Sequence, residues 1–387
     1  MKKITSKAII LAAGPNGLGA VRSLYKENVP VDIIVASQLE SVLNSRLPIR
    51  KTCLKNGLDN DELLALLLSQ KDESKVLIPT SDWFVNFLVR NKAVLEENYR
   101  FVLPAGDLSS HFIDKKVEVE LVKNFTVLPK TIIELPENPE QLSAKLSLPM
   151  IIKPRSNELN RLGCKNIVIQ TISELNLFYQ QFPQALSFCI AQEVIEGDDE
   201  NLWVCNCVFD YESNLVNAFT FQRLQLTPPH YGVTCYAKSQ SNTEVIEQVK
   251  ALGKGLNYVG PAMVEFKFDV RDGKYKYIEV NPRLGLCNYF DTSCGKNNVY
   301  ATYCVAIGKP FIEQPQKNNR MFLSLYEDLY SRYRDGQKPI KILSNYFSNV
   351  IKHHTFMYFA WCDPWPALVM FYRQSKQIFS SILNKVK

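Results

Sequence analysis

The stretch Pro261 to Gly285, PAMVEFKFDVRDGKYKYIEVNPRLG, limits what this chain can fold into more than any other. Two runs of alternating apolar and polar residues flank Arg271-Asp272-Gly273, the signature of an antiparallel hairpin. If the turn is the three-residue kind, with Gly273 left-handed in a G1 bulge, Val270 pairs with Lys274 and Glu265 faces Glu279. Two carboxylates about 5 Å apart at Cβ repel each other unless something positive lies between them. A divalent cation meets that need. Asn281, two residues on along the same face, adds a neutral oxygen, and Arg283 returns to that face. Oxygen ligands of this kind suit Mg²⁺, with Mn²⁺ as a substitute, and leave positions for water and phosphate. A two-residue Asp272-Gly273 turn would instead break the pairing and leave a solvated sheet with its charges outward.

Nearer the N-terminus, strand and helix signals alternate, with strands at 8–13, 31–36 and 75–79 and helices at 18–27, 60–69 and 83–97. Such alternation predicts a small parallel sheet with helices on its faces. The turn after the first strand, AAGPNGLGAVRSL, spaces Gly14, Gly17 and Gly19 as G-x-x-G-x-G, whereas a dinucleotide fingerprint reads G-x-G-x-x-G. The second strand runs into Ala36-Ser37-Gln38, and Glu40 comes late for a ribose. A nicotinamide oxidoreductase is therefore disfavoured. The turn is expected to form part of a ligand-facing edge, with Asn16 and Asp82 as substrate-facing residues. Asp82 follows a strand in VLIPTSDW, where open α/β sheets bind ligands, but it also reads as a helix N-cap.

Beyond residue 110 the pattern changes. A helix in FIDKKVEVELVKNF, a strand in VLPKTIIEL and a short helix near Glu140–Leu146 precede a β-rich region that includes LPMIIKPR, SFCIAQEVI, NLWVCNCVFD and NLVNAFTFQRLQL. This predicts an α+β architecture with antiparallel sheets. Ten cysteines without a C-x-x-C pair speak against a zinc site or a disulfide framework and for a reducing cytoplasm. The lysines ahead of a short apolar run at 8–13 resemble a signal peptide, but the run is too short and reads as a buried strand. From Arg332 onward nine Lys and Arg stand against two Asp, so the tail carries the net charge of +6 and the main body offers nucleic acid little.

In order and spacing these motifs resemble the ATP-grasp ligases, in particular the carbamoyl-phosphate-synthase-like and D-aspartate-ligase-like members. MVEFKFDV followed by YIEVNPRLG resembles the family's metal-binding end, DKK at 114–116 its first lysine, LPMIIKPRSNELNRLGCKNIVI its phosphate lysine and flexible loop, and AQEVIEGDDENLW its adenine hinge. The resemblance implies a fold that is α/β plus α+β: a Rossmann-like pre-grasp domain at 1–110, grasp lobes at 111–190 and 191–315, and a basic aromatic extension at 316–387. It implies that ATP is held by Lys115, Lys153, Gln192, Glu193, Val194, Ile195 and Asp199, and Mg²⁺ by Glu265, Glu279 and Asn281. Arg283 and Arg223 would be catalytic, with His230 facing the site. The loop Ser156–Lys165 has one glycine, Gly163, where many relatives have several.

The implied reaction is ATP-dependent ligation of a small-molecule carboxylate to an amine through an acyl phosphate. A grasp module that binds nucleotide without ligating is the competing reading. A homodimer in the cytoplasm is the expected setting. The tail, rich in Trp, Phe and Tyr among its basic residues, suits either packing against the grasp domain or peripheral contact with the inner membrane surface.

Overall fold

Every residue of β1 (Ala8–Ala12) is apolar and buried, as a strand covered on both faces requires. In the computed structural model, which describes residues 6–70, 75–104, 106–156, 158–230, 232–349 and 354–386, this strand is central in a five-stranded parallel sheet. Its partners are β2 (Val31–Val35), β3 (Arg50–Cys53), β4 (Lys75–Pro79) and β5 (Tyr99–Arg100), in the order β3-β2-β1-β4-β5. Ala8, Ile10 and Ala12 share a core with Leu18, Val21 and, from late in the chain, Val299 and Tyr303. Ile9 and Leu11 belong to the opposite core, with Leu63, Leu67, Phe84 and Phe87. The sequence reading missed β3, because Arg50-Lys51-Thr52-Cys53 is a strand with two exposed residues and no apolar alternation.

The first helix begins four residues earlier than expected and spans Gly14–Tyr25. Pro15 lies in its first turn, where a missing N–H breaks no helical bond. The glycine spacing now has a physical account. Gly14 has φ +55°, a Cβ on Gly17 would lie 2.6 Å from the Cβ of Ala12, and one on Gly19 would lie 2.2 Å from Oδ1 of Asn288. One glycine serves a turn and two serve close packing. Glu40 is not too far to reach this turn, since its Oε2 accepts from the Gly14 N–H at 2.6 Å. The helix N-terminus is thereby occupied by the protein's own carboxylate.

The next strands, β6 (Thr131–Ile132), β7 (Met150–Pro154), β8 (Ile167–Ile169) and β9 (Cys189–Glu193), form an antiparallel sheet in the order β6-β9-β7-β8. A seven-stranded sheet follows. It consists of β10 (Leu202–Phe209), β11 (Leu215–Thr227), β12 (Val233–Ser239), β13 (Gly260–Asp269), β14 (Lys274–Asn281), β15 (Met321–Leu323) and β16 (His354–Phe356), in the order β14-β13-β10-β11-β12-β15-β16. Along β10, Trp203, Cys205, Cys207 and Phe209 share a core with Val245, Val249 and Leu252 of the helix Thr243–Gly255. Val204 belongs to the other face, with Phe219, Phe221, Phe290 and Phe322.

The tail is woven into this frame. Its strands β15 and β16 extend the large sheet, pairing parallel to each other. Arg22, on the first helix and 1% exposed, donates to the carbonyls of Met357, Tyr358 and Asp363 and to Oδ2 of Asp363. The guanidinium of Arg46 lies 3.9 Å from the ring centre of Trp365. Trp361, Phe371 and Tyr372 are left 92%, 73% and 67% exposed. Among the described residues, no helix is long and apolar enough to cross a membrane. The tail residues Lys352, His353 and Lys387, and the loop residues Asn157 and Tyr231, lie outside the described residues.

Candidate active site

The hairpin turn is not the three-residue kind. Asp269 pairs with Lys274, and four residues, 270–273, close the loop, with Gly273 at φ +70° donating its N–H to the Asp269 carbonyl. Continued unchanged, that register would set Glu265 opposite Ile278. A β-bulge between Glu265 and Phe266 makes Ile278 the extra residue, and Glu265 pairs with Glu279 after all. The expected juxtaposition is present, but it depends on a bulge that the turn alone does not announce.

The two carboxylates have different cationic neighbours. Burial pushes the Glu279 carboxyl up, but Lys165, Lys115, Asn281 and Lys153 outweigh burial and hold it below the usual range. Glu265, 8% exposed, accepts from both terminal nitrogens of Arg223, at 2.8 and 2.5 Å. Burial works against the charge of Arg223, and Glu265 more than restores it. A carboxylate has about four lone-pair sites, so Arg223 leaves Glu265 able to bind a cation. Asn281 donates to Oε1 of Glu279 at 3.4 Å, and its Oδ1 accepts from Arg283 at 3.3 Å. Among the described residues no group of three or more His, Cys, Asp and Glu is gathered into a metal cage. Two carboxylates and one amide oxygen fit Mg²⁺, which keeps the rest of its octahedron for water and phosphate.

A cavity of about 220 Å³ runs from these residues to the hinge. Its lining includes the apolar Ile151, Val168, Ile195, Leu226 and the bulge residue Ile278, and the charged Lys115, Lys153, Lys165 and Glu279. Lys153 Nζ donates to Gln192 Oε1 at 2.8 Å, and Gln192 Nε2 donates to Thr131 Oγ1 at 2.9 Å. The Gln192 amide therefore orients the lysine. Burial pulls the Lys153 ammonium down to about 8, against the pull of Glu279. The backbone N–H of Glu193 goes to the Lys130 carbonyl and that of Val194 to the Pro149 carbonyl, so these two donors are already used within the protein. Asp199 lies 3.4 Å from His230 Nδ1, whose Nε2 lies 3.3 Å from Asp335. Both Asp199 and His230 line the cavity.

The remaining candidates join the first sheet to this site. Arg283 Nε donates to Asp82 Oδ1 at 2.7 Å. The helix N-cap is Ser81 rather than Asp82. Asn16 is 4% exposed and donates to the carbonyls of Thr80 and Leu284 at 2.8 Å each, while its own oxygens accept from Asn288. Its side chain thus ties the glycine turn to the segment after Arg283, which leaves little of it to offer a substrate.

Sequence reasoning overlooked three features. Lys165, at the end of the flexible loop, reaches both the cavity and Glu279; its position just before β8 was the available signal. Glu118, 3% exposed, accepts from the Tyr277 hydroxyl and the Val280 N–H, and burial pushes its carboxyl up to about 7. One helical turn beyond Lys115, it anchors that helix to β14. Arg271 Nη2 donates to the Val194 carbonyl and Lys276 Nζ to Glu193 Oε1, so the hairpin grips the hinge. Only the fold brings those pairs together.

No family model matches the chain. It is 27% identical over 299 residues to a D-aspartate ligase of Enterococcus faecium (strain Aus0004), covering 71% of this chain and 70% of that one. Among solved structures it is similar to a biotin carboxylase in complex with β,γ-ATP from Campylobacter jejuni, with a TM-score of 0.64 at 15% identity, covering 81% of this chain and 74% of that one. It is also similar to the N5-carboxyaminoimidazole synthetase of Staphylococcus aureus, with a TM-score of 0.62 at 14% identity and 85% of each chain covered. With the paired carboxylates, the lysine cluster and the hinge in these positions, the chain shares the fold of these solved structures and is similar in sequence to the D-aspartate ligase.

Proposed function

We propose that adenine enters the 220 Å³ cavity beside the Glu193–Ile195 hinge, among its apolar lining residues, and that Asp199 accepts the ribose hydroxyls. Lys115, Lys153 and Lys165 hold phosphate oxygens as point charges. Glu265, Glu279 and Asn281 would hold Mg²⁺, which would neutralise part of the phosphate charge. A substrate carboxylate oxygen bonds to the γ-phosphorus while the bond to ADP breaks. An amine nitrogen then bonds to the acyl carbon, phosphate leaves, and the amine proton goes to solvent. Arg283 and Arg223 stabilise charge on the transferring group and on the tetrahedral oxyanion. The observation that carries this reading is the Glu265–Glu279 pair, set opposite each other, with lysines holding the second carboxylate ionised.

The parallel sheet of residues 8–100 is read as a Rossmann-like pre-grasp domain within 1–110, with grasp lobes at 111–190 and 191–315. The D-aspartate ligase relative supports an amino-acid carboxylate as the first substrate to try. Hydroxylamine stands in for the amine, because it traps an acyl phosphate as a hydroxamate. The panel is D- and L-aspartate, D- and L-alanine, succinate and acetate, with MgATP. At least one acid should yield hydroxamate and ADP in equal amounts, and Glu279→Ala should lower the rate at least about 100-fold. Nucleotide binding without ADP release from any acid would favour the non-ligating reading.

A second reading concerns the tail from 316 to 387. Exposed Trp361, Phe371 and Tyr372 beside Arg373 and Lys376 support peripheral contact with an anionic membrane surface. Co-sedimentation with phosphatidylglycerol vesicles, lost on Phe371→Ser/Tyr372→Ser, tests it. A homodimer is the proposed assembly, checked by sedimentation velocity.

A further inference from the structure

Lys276, Ile278 and Glu279 lie along β14, and the cavity of about 220 Å³ takes Ile278 and Glu279 into its lining together with Glu193, Val194 and Ile195 of the hinge. At a rise of about 3.3 Å per residue, Lys276 stands about 10 Å along the strand from Glu279. The Lys276 side chain is 8% exposed, and its ammonium lies among three carboxylates: Asp269 at 2.7 Å, Glu193 at 2.9 Å and Asp272 at 3.3 Å. Arg271, in the hairpin loop, holds Asp269 through Nε at 2.9 Å and Nη2 at 2.5 Å. The same Nη2 reaches Glu193 at 3.3 Å and the Val194 carbonyl at 3.2 Å. Asp269, at the centre of the cluster, is fully buried, and Arg271, with Lys276, holds its carboxyl well below the usual range against the pull of burial. Glu193 ends a strand of the four-stranded sheet, whereas Asp269 and Lys276 belong to the seven-stranded one. The cluster therefore ties the two sheets together at the hinge.

Stability gives a weak reason for such a cluster. Burying ions costs desolvation that their attraction barely offsets, and apolar residues of similar volume often do as well or better. Geometry gives a stronger one. Both carboxylate oxygens of Glu193 are committed, since Oε1 accepts from the Lys130 N–H and from Lys276 while Oε2 accepts from Arg271. The end of β9 cannot slide along β14 without breaking a charged contact. A nucleotide that uses the hinge and the metal residues at once is a pair of linked fragments, and linkage adds affinity only where the span of the sites matches the span of the ligand.

We infer that Arg271 and Lys276 are positioning residues for the nucleotide: by tying the hinge to β14 they fix the separation between the adenine and metal positions, so that one ligand engages both. The inference rests on the nucleotide reading above. Neither side chain needs to touch the nucleotide for this.

The test uses the full chain, with calorimetry for MgADP and saturation-transfer NMR for the two fragments, adenosine and magnesium pyrophosphate. Arg271→Met releases the hinge from the hairpin loop while Lys276 still neutralises Asp269, and Lys276→Met cuts the second tie. Each should raise the Kd for MgADP about tenfold, a share of the roughly 100- to 10,000-fold that joining two fragments can supply. Adenosine and magnesium pyrophosphate should each bind within twofold of wild type, a pattern that a distorted hinge or a loosened fold would not give. Thermal melts report folding, and if Lys276→Met does not fold, Arg271→Met decides alone. An unchanged MgADP Kd in folded Arg271→Met, or a loss that falls equally on adenosine or on pyrophosphate, overturns the assignment. If wild type does not bind MgADP, the nucleotide reading itself fails, and this assignment with it.

Discussion

Lys153 should give the enzyme a pH dependence that can be worked out from its surroundings. Burial lowers its ammonium to about 8, far below an ordinary lysine. If only the charged form holds phosphate, the apparent KM for MgATP scales as the inverse of the protonated fraction. At pH 7 that fraction is about nine-tenths, and at pH 9 about one-tenth, so KM should rise roughly tenfold between them. A lost charge-assisted contact has a ceiling of about 1.5–3 kcal/mol, or ten- to over a hundredfold, so the effect is not capped within this window. Folding stability should move the other way. The unfolded chain holds the Lys153 proton more tightly than the folded one, so the penalty is fully present below about pH 8 and is relieved as pH rises from there toward the ordinary lysine value. Initial-rate measurements from pH 6.5 to 9.5 on wild type and Lys153→Arg, whose charge persists, provide the assay. A flat KM in wild type, or the same inflection in Lys153→Arg, would refute the reasoning.

Asp363→Ala should destabilise the protein by about 3–5 kcal/mol in urea titration, because it strands the guanidinium of Arg22 in a site where both side chains are fully buried; replacing both by Arg22→Met/Asp363→Leu should cost less. Gly17→Ala should cost about 1–3 kcal/mol, since its new methyl would meet Ala12 at 2.6 Å, yet leave MgADP affinity per folded molecule unchanged. Weakened MgADP binding there would return the glycine turn to the nucleotide. Glu118→Gln should stabilise the protein at pH 8. The folded state holds the Glu118 proton up to about 7, so wild type loses stability as pH rises from the ordinary carboxylate range through that value, and the variant should lack this loss in thermal melts.

The placement of the candidate residues was legible in the sequence where they lie in short, ordered segments. Glu265, Glu279, Asn281 and Arg283 lie on or just after one hairpin, and the two-residue spacing of Glu279, Asn281 and Arg283 is visible in the sequence. Lys153 and Gln192 were legible for the same reason, each lying on a strand with a clear apolar pattern. What was illegible depends on distant pairing. Nothing near Glu40 says that it reaches Gly14, nor does any local pattern assign Gly19 to Asn288. The bulge at Ile278 shows in the sequence only as the adjacent pair Tyr277-Ile278 interrupting the alternation of Lys274–Asn281, and which residue is extra is settled by pairing with the other strand. The tail was the least legible part, since β15 and β16 are three residues each and take their meaning from the sheet they join.

The bond between Arg22 and Asp363 spans 341 positions of the chain. A ribosome adding about 5–20 residues per second needs on the order of 20–70 s to make the partner after the arginine has emerged. For that interval the first helix carries a cation on a face that the finished protein seals from water. The parallel sheet can assemble meanwhile, since β1 to β5 are contiguous, but that face stays open until the last tenth of the chain arrives. The order of synthesis thus makes docking of the tail a late step in maturation, and one that reports that the two antiparallel sheets between them have been made.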